Sequence, residues 1–362
     1  VIDHDLELVE PVLEPLLACL DGLSAVARGL HPPALAGLVA GMAASESRLQ
    51  AAVAAHPPWP ARLSTLGAQL DAAAGETASA FEGLRAAVGS GEAMPKAYRA
   101  LRHVPRALEA LYPLAGLVAS VNRFFLDPAG RDDEALQRRL LVPAPDHTGL
   151  MAFGDSPDAR EVVWVYVPET YSPDRAHPLI MALHGGGGRG RAFLWSWLRD
   201  ARSRGAILVA PTSLGSTWSL SGDDVDTPHL AQILEFVSAH WRVDPNQLLL
   251  TGMSDGGTFS YVSGLEPASP FTHLAPSCAA FHPMLAQMAD AERLRGLPIH
   301  ITHGALDWMF PVEMARAAHD ALSAAGANVS YREVDDLSHV YPAELNGAIL
   351  DWMALADRSG RR

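Results

Sequence analysis

Two shortages set the first limits. The 362-residue chain has two cysteines, Cys19 and Cys278, far apart and in no metal-like spacing. A disulfide framework and a cysteine metal site are excluded, and both thiols read as buried apolar residues. Lysine is almost missing: Lys96 is the single one, and arginine carries the rest of the positive charge. Acidic residues are in excess, and the net charge is −14. Neither half offers a basic patch, so no nucleic-acid partner is expected, because sequence-independent binding needs a basic surface. No apolar run approaches the roughly 20 residues that span a bilayer, so no membrane span is expected. The chain begins at Val1 rather than at methionine, so trimming is expected. A soluble protein is expected, either cytoplasmic or exported after loss of a signal peptide. The composition leaves the oligomeric state open.

What is present falls into two parts. Residues 1–145 are rich in alanine and leucine. Leu6, Val9, Leu13, Leu16, Leu17 and Leu20 fall on one face at helical spacing, as do Tyr98, Leu101, Val104, Leu108 and Leu111. Proline clusters at 31–34 and 56–60 break the pattern. Four or five helices packed as a bundle are expected, serving as a lid or an interaction domain. "VPAPDHTG" at 142–149 reads as the linker.

Residues 146–362 alternate strand-like and helical runs. Strands are expected at 161–168, 178–185, 205–211, 246–252, 272–281, 297–304 and 328–334. Helical stretches are expected near 191–203, 228–241, 256–265, 311–325 and 342–356. Such alternation implies a mainly parallel sheet with helices on both faces. Ligands of such sheets bind beyond the carboxyl ends of the strands.

One of those ends is "LHGGGGRG", 183–190. Gly185, Gly187 and Gly190 satisfy G-x-G-x-x-G, a dinucleotide fingerprint that is weak alone. A dinucleotide site also wants an acidic residue at the end of the next strand to hold the ribose. Pro211 and Thr212 stand there instead. Gly185 and Gly190 also fit the start of a phosphate-binding loop, but Arg191 and Ala192 replace its lysine and hydroxyl. Neither nucleotide reading survives, and no cofactor is expected.

A third reading needs a nucleophile. Gly252-Met253-Ser254-Asp255-Gly256 is G-x-S-x-G, after an apolar strand and at the start of a helical run. That is the context of a nucleophile elbow. The turn is tight, so the flanking residues must lack side chains. Ser254 then stands at a helix N-terminus, where backbone charge suits a developing anion. A serine hydroxyl needs a base, and the base needs an orienting acid. In chain order, Asp307 in "HGALDWMFP" and His339 in "LSHVYP" follow strand-like runs and can supply them. Asp335 and Asp336 are rival acids, though only three or four residues from His339.

"LHGGGG", "GMSDGG", "HGALDWMFP" and "LSHVYP" together resemble an α/β-hydrolase serine esterase. The likeness is to the phospholipase/carboxylesterase and polyhydroxybutyrate-depolymerase-like branches. It covers roughly residues 160–356 and does not reach the helical part. It implies an α/β-hydrolase fold over 146–362, with Ser254 as nucleophile, His339 as base and Asp307 as orienting carboxylate. It implies an oxyanion hole from the backbone N–H groups of Gly186 and Asp255, with Gly187 next if the register differs by one. His184 would brace the glycine loop. The implied substrate is a small-molecule or polymeric ester, polyesters included, cleaved without metal or organic cofactor.

"GMSDGG" also resembles the elbow of prolyl-oligopeptidase-type peptidases, which usually carry a propeller where this chain reads as helices. An inactive scaffold with a partner-binding helical domain is a further alternative, against which the intact Ser254, Asp307 and His339 set stands. Around the site, Trp218 and Trp308 are candidate pocket residues, and Trp195 and Trp197 flank the glycine loop. His282 reads as structural or rim. His300 and His303 would face opposite sides of a strand, which excludes shared metal ligation.

Overall fold

The computed structural model describes residues 3–156 and 159–360. They divide into two compact units, Val1–Pro143 and Ala144–Arg362.

Helices joined by turns make up the first unit, with no strand among its described residues. Its longer helices are α1 (Asp3–Arg28), α2 (Ala43–Ala55), α3 (Ser64–Ala87), α4 (Ala93–Leu101) and α5 (His103–Leu111). Shorter helical segments fill the rest, so the part is more finely divided than four or five helices. α1 packs on α2 and α3, and α3 packs on α4 and α5. The apolar stripe of α1 is the reason: Val9, Leu13, Leu16 and Leu20 are fully buried. Pro11 and Pro15 lie inside α1 without ending it.

The second unit is built on one eight-stranded sheet. Its strands are β1 (Gly149–Phe153), β2 (Val163–Val167), β3 (His177–Leu183), β4 (Ile207–Ala210), β5 (Val243–Met253), β6 (His273–Ser277), β7 (Pro298–Gly304) and β8 (Asn328–Val334). The order across the sheet is β1-β2-β4-β3-β5-β6-β7-β8. β1 and β2 run antiparallel to their neighbours, and β4, β3, β5, β6, β7 and β8 run parallel. Parallel neighbours need crossovers, supplied by α6 (Leu198–Arg204), α7 (Asp226–His240), α8 (Asp255–Gly264) and α9 (Glu313–Ala324), with two short helical turns between β6 and β7; α10 (Asn346–Gly360) follows β8. β3 and β6 are buried along most of their length, and β5 from Leu248 to Gly252, as strands covered on both faces must be. A continuous core runs from Val163 to Leu322 through Met181, Val209, Leu250, Phe259 and Ile299.

Two expectations need correction. β1 was missing from the sequence reading: its five residues are only half-buried at the sheet edge and follow the linker directly. The helical stretch near 191–203 is three pieces, Gly190–Phe193, Leu194–Ser196 and α6. The chain there turns beside the end of β4 rather than running straight.

Candidate active site

Ser254 ends β5 and opens α8. Its φ of 56° and ψ of −122° are unusual for a residue with a side chain. Strain of this kind persists only where the surroundings over-determine it. Here a bond from the Ser254 N–H to the Ser277 carbonyl of β6, 3.0 Å long, holds one side. Glycines permit the turn on the other. A Cβ on Gly252 would lie 2.5 Å from the Gly256 carbonyl carbon, and one on Gly256 would lie 2.5 Å from the His184 carbonyl oxygen. The elbow is therefore pressed against the end of β3.

Three side chains from three strand ends meet at this turn. The Ser254 hydroxyl lies 3.0 Å from His339 Nε2. His339, in the loop after β8, has its Nδ1 2.8 Å from Asp307 Oδ2. Asp307, in the loop after β7, receives the N–H groups of Met309 and Phe310 on Oδ1 at 2.9 and 2.8 Å. A carboxylate accepts only, so the network puts the His339 proton on Nδ1 and leaves Nε2 to accept from the serine. Burial acts to raise the Asp307 pKa. The bonds from His339, Phe310 and Met309 outweigh it and hold the carboxyl below its usual range. All three residues are buried, none more than 8% exposed. Asp335 and Asp336 are exposed on the turn after β8, and the Nδ1 bond goes to Asp307.

The glycine segment forms a tight turn. The Gly188 N–H donates to the Gly185 carbonyl at 2.9 Å, and Gly187 takes a φ of 65°. Such a φ favours glycine. A Cβ on Gly185 would touch Ser254 Cβ at 3.5 Å. A Cβ on Gly186 would lie 2.6 Å from Asp255 Oδ2. Gly186 and Asp255 are thus neighbours across the elbow.

His184 supports this turn from beneath. Nδ1 lies 2.7 Å from the Gly185 carbonyl, and Nε2 accepts the Ser213 N–H at 3.1 Å. One nitrogen donates and the other accepts, which is the neutral ring. Burial lowers its pKa to about 4, against a smaller opposing effect of the Gly185 bond. Trp218 lies in the core at 2% exposure. Its Nε1–H donates to the His184 carbonyl at 2.7 Å, and its ring stacks on Phe259. Trp218 is therefore a prop under the turn, not the pocket wall the sequence suggested. Its loop is gathered by the buried Asp226, which accepts the N–H groups of Leu214 and Ser219 and the Ser219 hydroxyl.

Trp308 is 46% exposed beside Asp307. Trp195 and Trp197 are buried. His282 is exposed and accepts the Met284 N–H, closing a local turn. His300 packs on Trp352, while His303 approaches Asp307, so the two do part company across β7.

Three contacts escaped the sequence reading. His303 lies against the Asp307 carboxylate. Cys278, at the end of β6, has a φ of 45° and sets its sulfur 3.4 Å from the Val340 carbonyl and 3.8 Å from that of Ser338, the residues flanking His339. The Thr217 hydroxyl donates to Asp255 Oδ2 at 2.6 Å. Cys278 and Thr217 find their partners at other strand ends, and His303 meets Asp307 only because the loop after β7 turns back, so no sequence pattern signals these contacts. Among the described residues no group of three or more potential metal ligands occurs, and no helix is long and apolar enough to cross a membrane.

A family model described as phospholipase/carboxylesterase matches residues 227–355. A probable feruloyl esterase C of Aspergillus terreus is 32% identical over 121 residues, 32% of this chain and 44% of that protein. A bifunctional acetylxylan esterase/xylanase of Neocallimastix patriciarum is 30% identical over 152 residues, 40% of this chain and 21% of that protein. The chain spans less than half the length of these curated relatives. A solved thermostable esterase aligns over 57% of this chain and 60% of its own, with a TM-score of 0.43 and 22% identity. The sheet order and the strained serine turn are those of an α/β-hydrolase fold, and residues 227–355 are similar to the phospholipase/carboxylesterase family.

Proposed function

We propose that the protein hydrolyses carboxylic esters through an acyl-enzyme on Ser254. The observation that carries this reading is the unbroken buried chain from Ser254 through His339 to Asp307. A serine hydroxyl 3.0 Å from an imidazole nitrogen is within proton-transfer distance. Ser254 Oγ attacks the ester carbonyl and its proton passes to His339 Nε2. The carbonyl oxygen becomes an anion, held by the backbone N–H groups of Asp255 and Gly186, with Gly187 the alternative donor. Each such donor is worth about 3–4 kcal/mol of barrier. The C–O bond then breaks, and the alcohol leaves with the proton from Nε2. Water repeats the attack on the acyl-serine, again giving its proton to Nε2. The acid departs as that proton returns to Oγ. Asp307 stays ionised and stabilises the imidazolium formed in each half.

The relatives named for feruloyl and acetylxylan ester cleavage suggest the substrate class. We propose aromatic or short acyl groups on carbohydrate-type alcohols, with simple short-chain esters as surrogates. Trp308, exposed beside Asp307, would border the acyl site in this reading. The test is hydrolysis of p-nitrophenyl esters from acetate to palmitate, and of methyl ferulate, by the wild type and Ser254→Ala. Activity on short or aromatic esters that falls by about 10⁴-fold or more in the variant is expected. A wild type inert on every ester would overturn the reading.

A further inference from the structure

Asp307 meets two imidazoles, and the reaction just described uses one. His303 is the penultimate residue of β7, four before Asp307 and 1% exposed. Its Nε2 lies 2.9 Å from the Phe310 carbonyl and 3.4 Å from Asp307 Oδ2. That oxygen is the one that receives the Nδ1–H of His339. A carbonyl only accepts, so His303 Nε2 carries a proton. Phe310 is held at both ends, because its own N–H donates to Asp307 Oδ1. The loop between β7 and α9 is thus closed on itself by the carboxylate and the second imidazole.

The charged and titratable groups facing His303 are Asp307, His339 and Glu333. Glu333 is opposite His303 in the β7–β8 register, and Arg316 and Tyr331 both donate to its carboxylate. Burial lowers the His303 pKa most strongly, ahead of the opposing Phe310 bond and Asp307 charge. The ring is neutral at working pH and offers Asp307 a dipole rather than a full charge.

We propose that His303 is a positioning residue for the triad. It ties the Asp307 loop through Phe310 and draws on the charge of Oδ2, so that the carboxylate meets His339 in one orientation and with moderated strength. The inference rests on the esterase reading for its kinetic test. Without His303, Oδ2 belongs to His339 alone and holds its imidazolium more tightly. The acid limb of the rate profile then moves to higher pH. The slack loop lowers kcat and leaves KM in place, since His303 does not reach the substrate.

The test compares wild type, His303→Leu, His303→Gln and His303→Asn as full-length protein. Readouts are pH profiles on p-nitrophenyl acetate and the rate of Ser254 labelling by a fluorophosphonate. The Gln amide can set an N–H near Phe310, whereas Asn is too short to reach. We expect His303→Leu to lose about 10–100-fold in kcat with KM little changed. Its acid limb should rise by roughly half a pH unit. His303→Gln should recover most of both. A folded Leu variant with the wild-type kcat and acid limb would overturn the proposal. So would a loss that Gln does not recover, with the limb unmoved, because packing alone would then account for it. If the Leu variant does not fold, the Gln–Asn pair decides: Gln near wild type with Asn slowed and shifted supports the proposal, and equal behaviour overturns it. If the wild type cleaves no ester, the esterase reading has failed by itself. The labelling rate still reports an activated Ser254, and equal rates across the variants would then overturn the role of His303.

Discussion

His184 shows how burial converts a side chain's chemistry into a stability cost. Its pKa is lowered from 6.5 to about 4, so the unfolded chain binds this proton at a higher pH than the folded one does. Stability must then fall as pH drops from about 6.5 toward 4, and level off below. For this mostly buried ring the full cost is about 3 kcal/mol. Urea unfolding at pH 7 and pH 4.5 should show a smaller acid loss in His184→Gln than in the wild type. An equal loss would mean that the ring is accessible to protons. The same logic governs the thiols. Burial pushes Cys278 up to about 12 and Cys19 up to about 11. At pH 8 the Cys278 thiolate fraction is about 10⁻⁴, and the thiolate is the reactive form. Iodoacetamide at that pH should label neither cysteine of the native protein and leave ester hydrolysis intact. Labelling should appear only in denaturant. Rapid native inactivation would show that the contacts around Cys278 open readily.

At the scale of elements, seven of the eight strands are legible in the sequence, the half-buried β8 included. β3, β5 and β7 are apolar runs ending in turn residues, and the ends carry the groups that meet at Ser254. β1 was not legible because a five-residue, half-buried edge strand has neither a long apolar run nor a clean alternation. Ser254, Asp307 and His339 could be picked out because each sits in its own short motif. The roles of His303, Cys278 and Trp218 could not, because they follow from which strands are neighbours. His303 in particular reads from sequence as one of a histidine pair on a strand, and only the return of the loop at Phe310 brings Asp307 to it. Glycine shows the same contrast between local and tertiary causes. Gly75, inside α3, has open space where a Cβ would go, so Gly75→Ala should stabilise the protein by up to about 1 kcal/mol through helix propensity. Gly256, at the start of α8, faces the β3 backbone. Gly256→Ala should cost about 1–3 kcal/mol and slow Ser254 labelling. Thermal unfolding of the two variants side by side checks both signs.

For the whole molecule, the division into two units carries a functional consequence. Ser254, His339, Asp307, His184 and the glycine turn all lie within Ala144–Arg362. So does every residue of the core cluster that holds the sheet together. A unit of that size, with its own sheet and its own core, is within the range of independently folding domains. We therefore expect a truncated protein of residues 144–362 to fold and to hydrolyse p-nitrophenyl acetate within about tenfold of the full chain, because each group of the proposed mechanism is retained. We propose that the helical unit acts on substrate choice or on partners rather than on the chemical step. Chain-length profiles of the two proteins separate these roles. A lid would restrict or assist long acyl chains, so its removal would change the ratio of long-chain to acetate activity. A partner-binding unit would leave that ratio unchanged. A truncated unit that folds but has lost acetate hydrolysis would show that the helices complete the site, and that the catalytic machinery extends beyond Ser254, His339, Asp307 and the turn beside them.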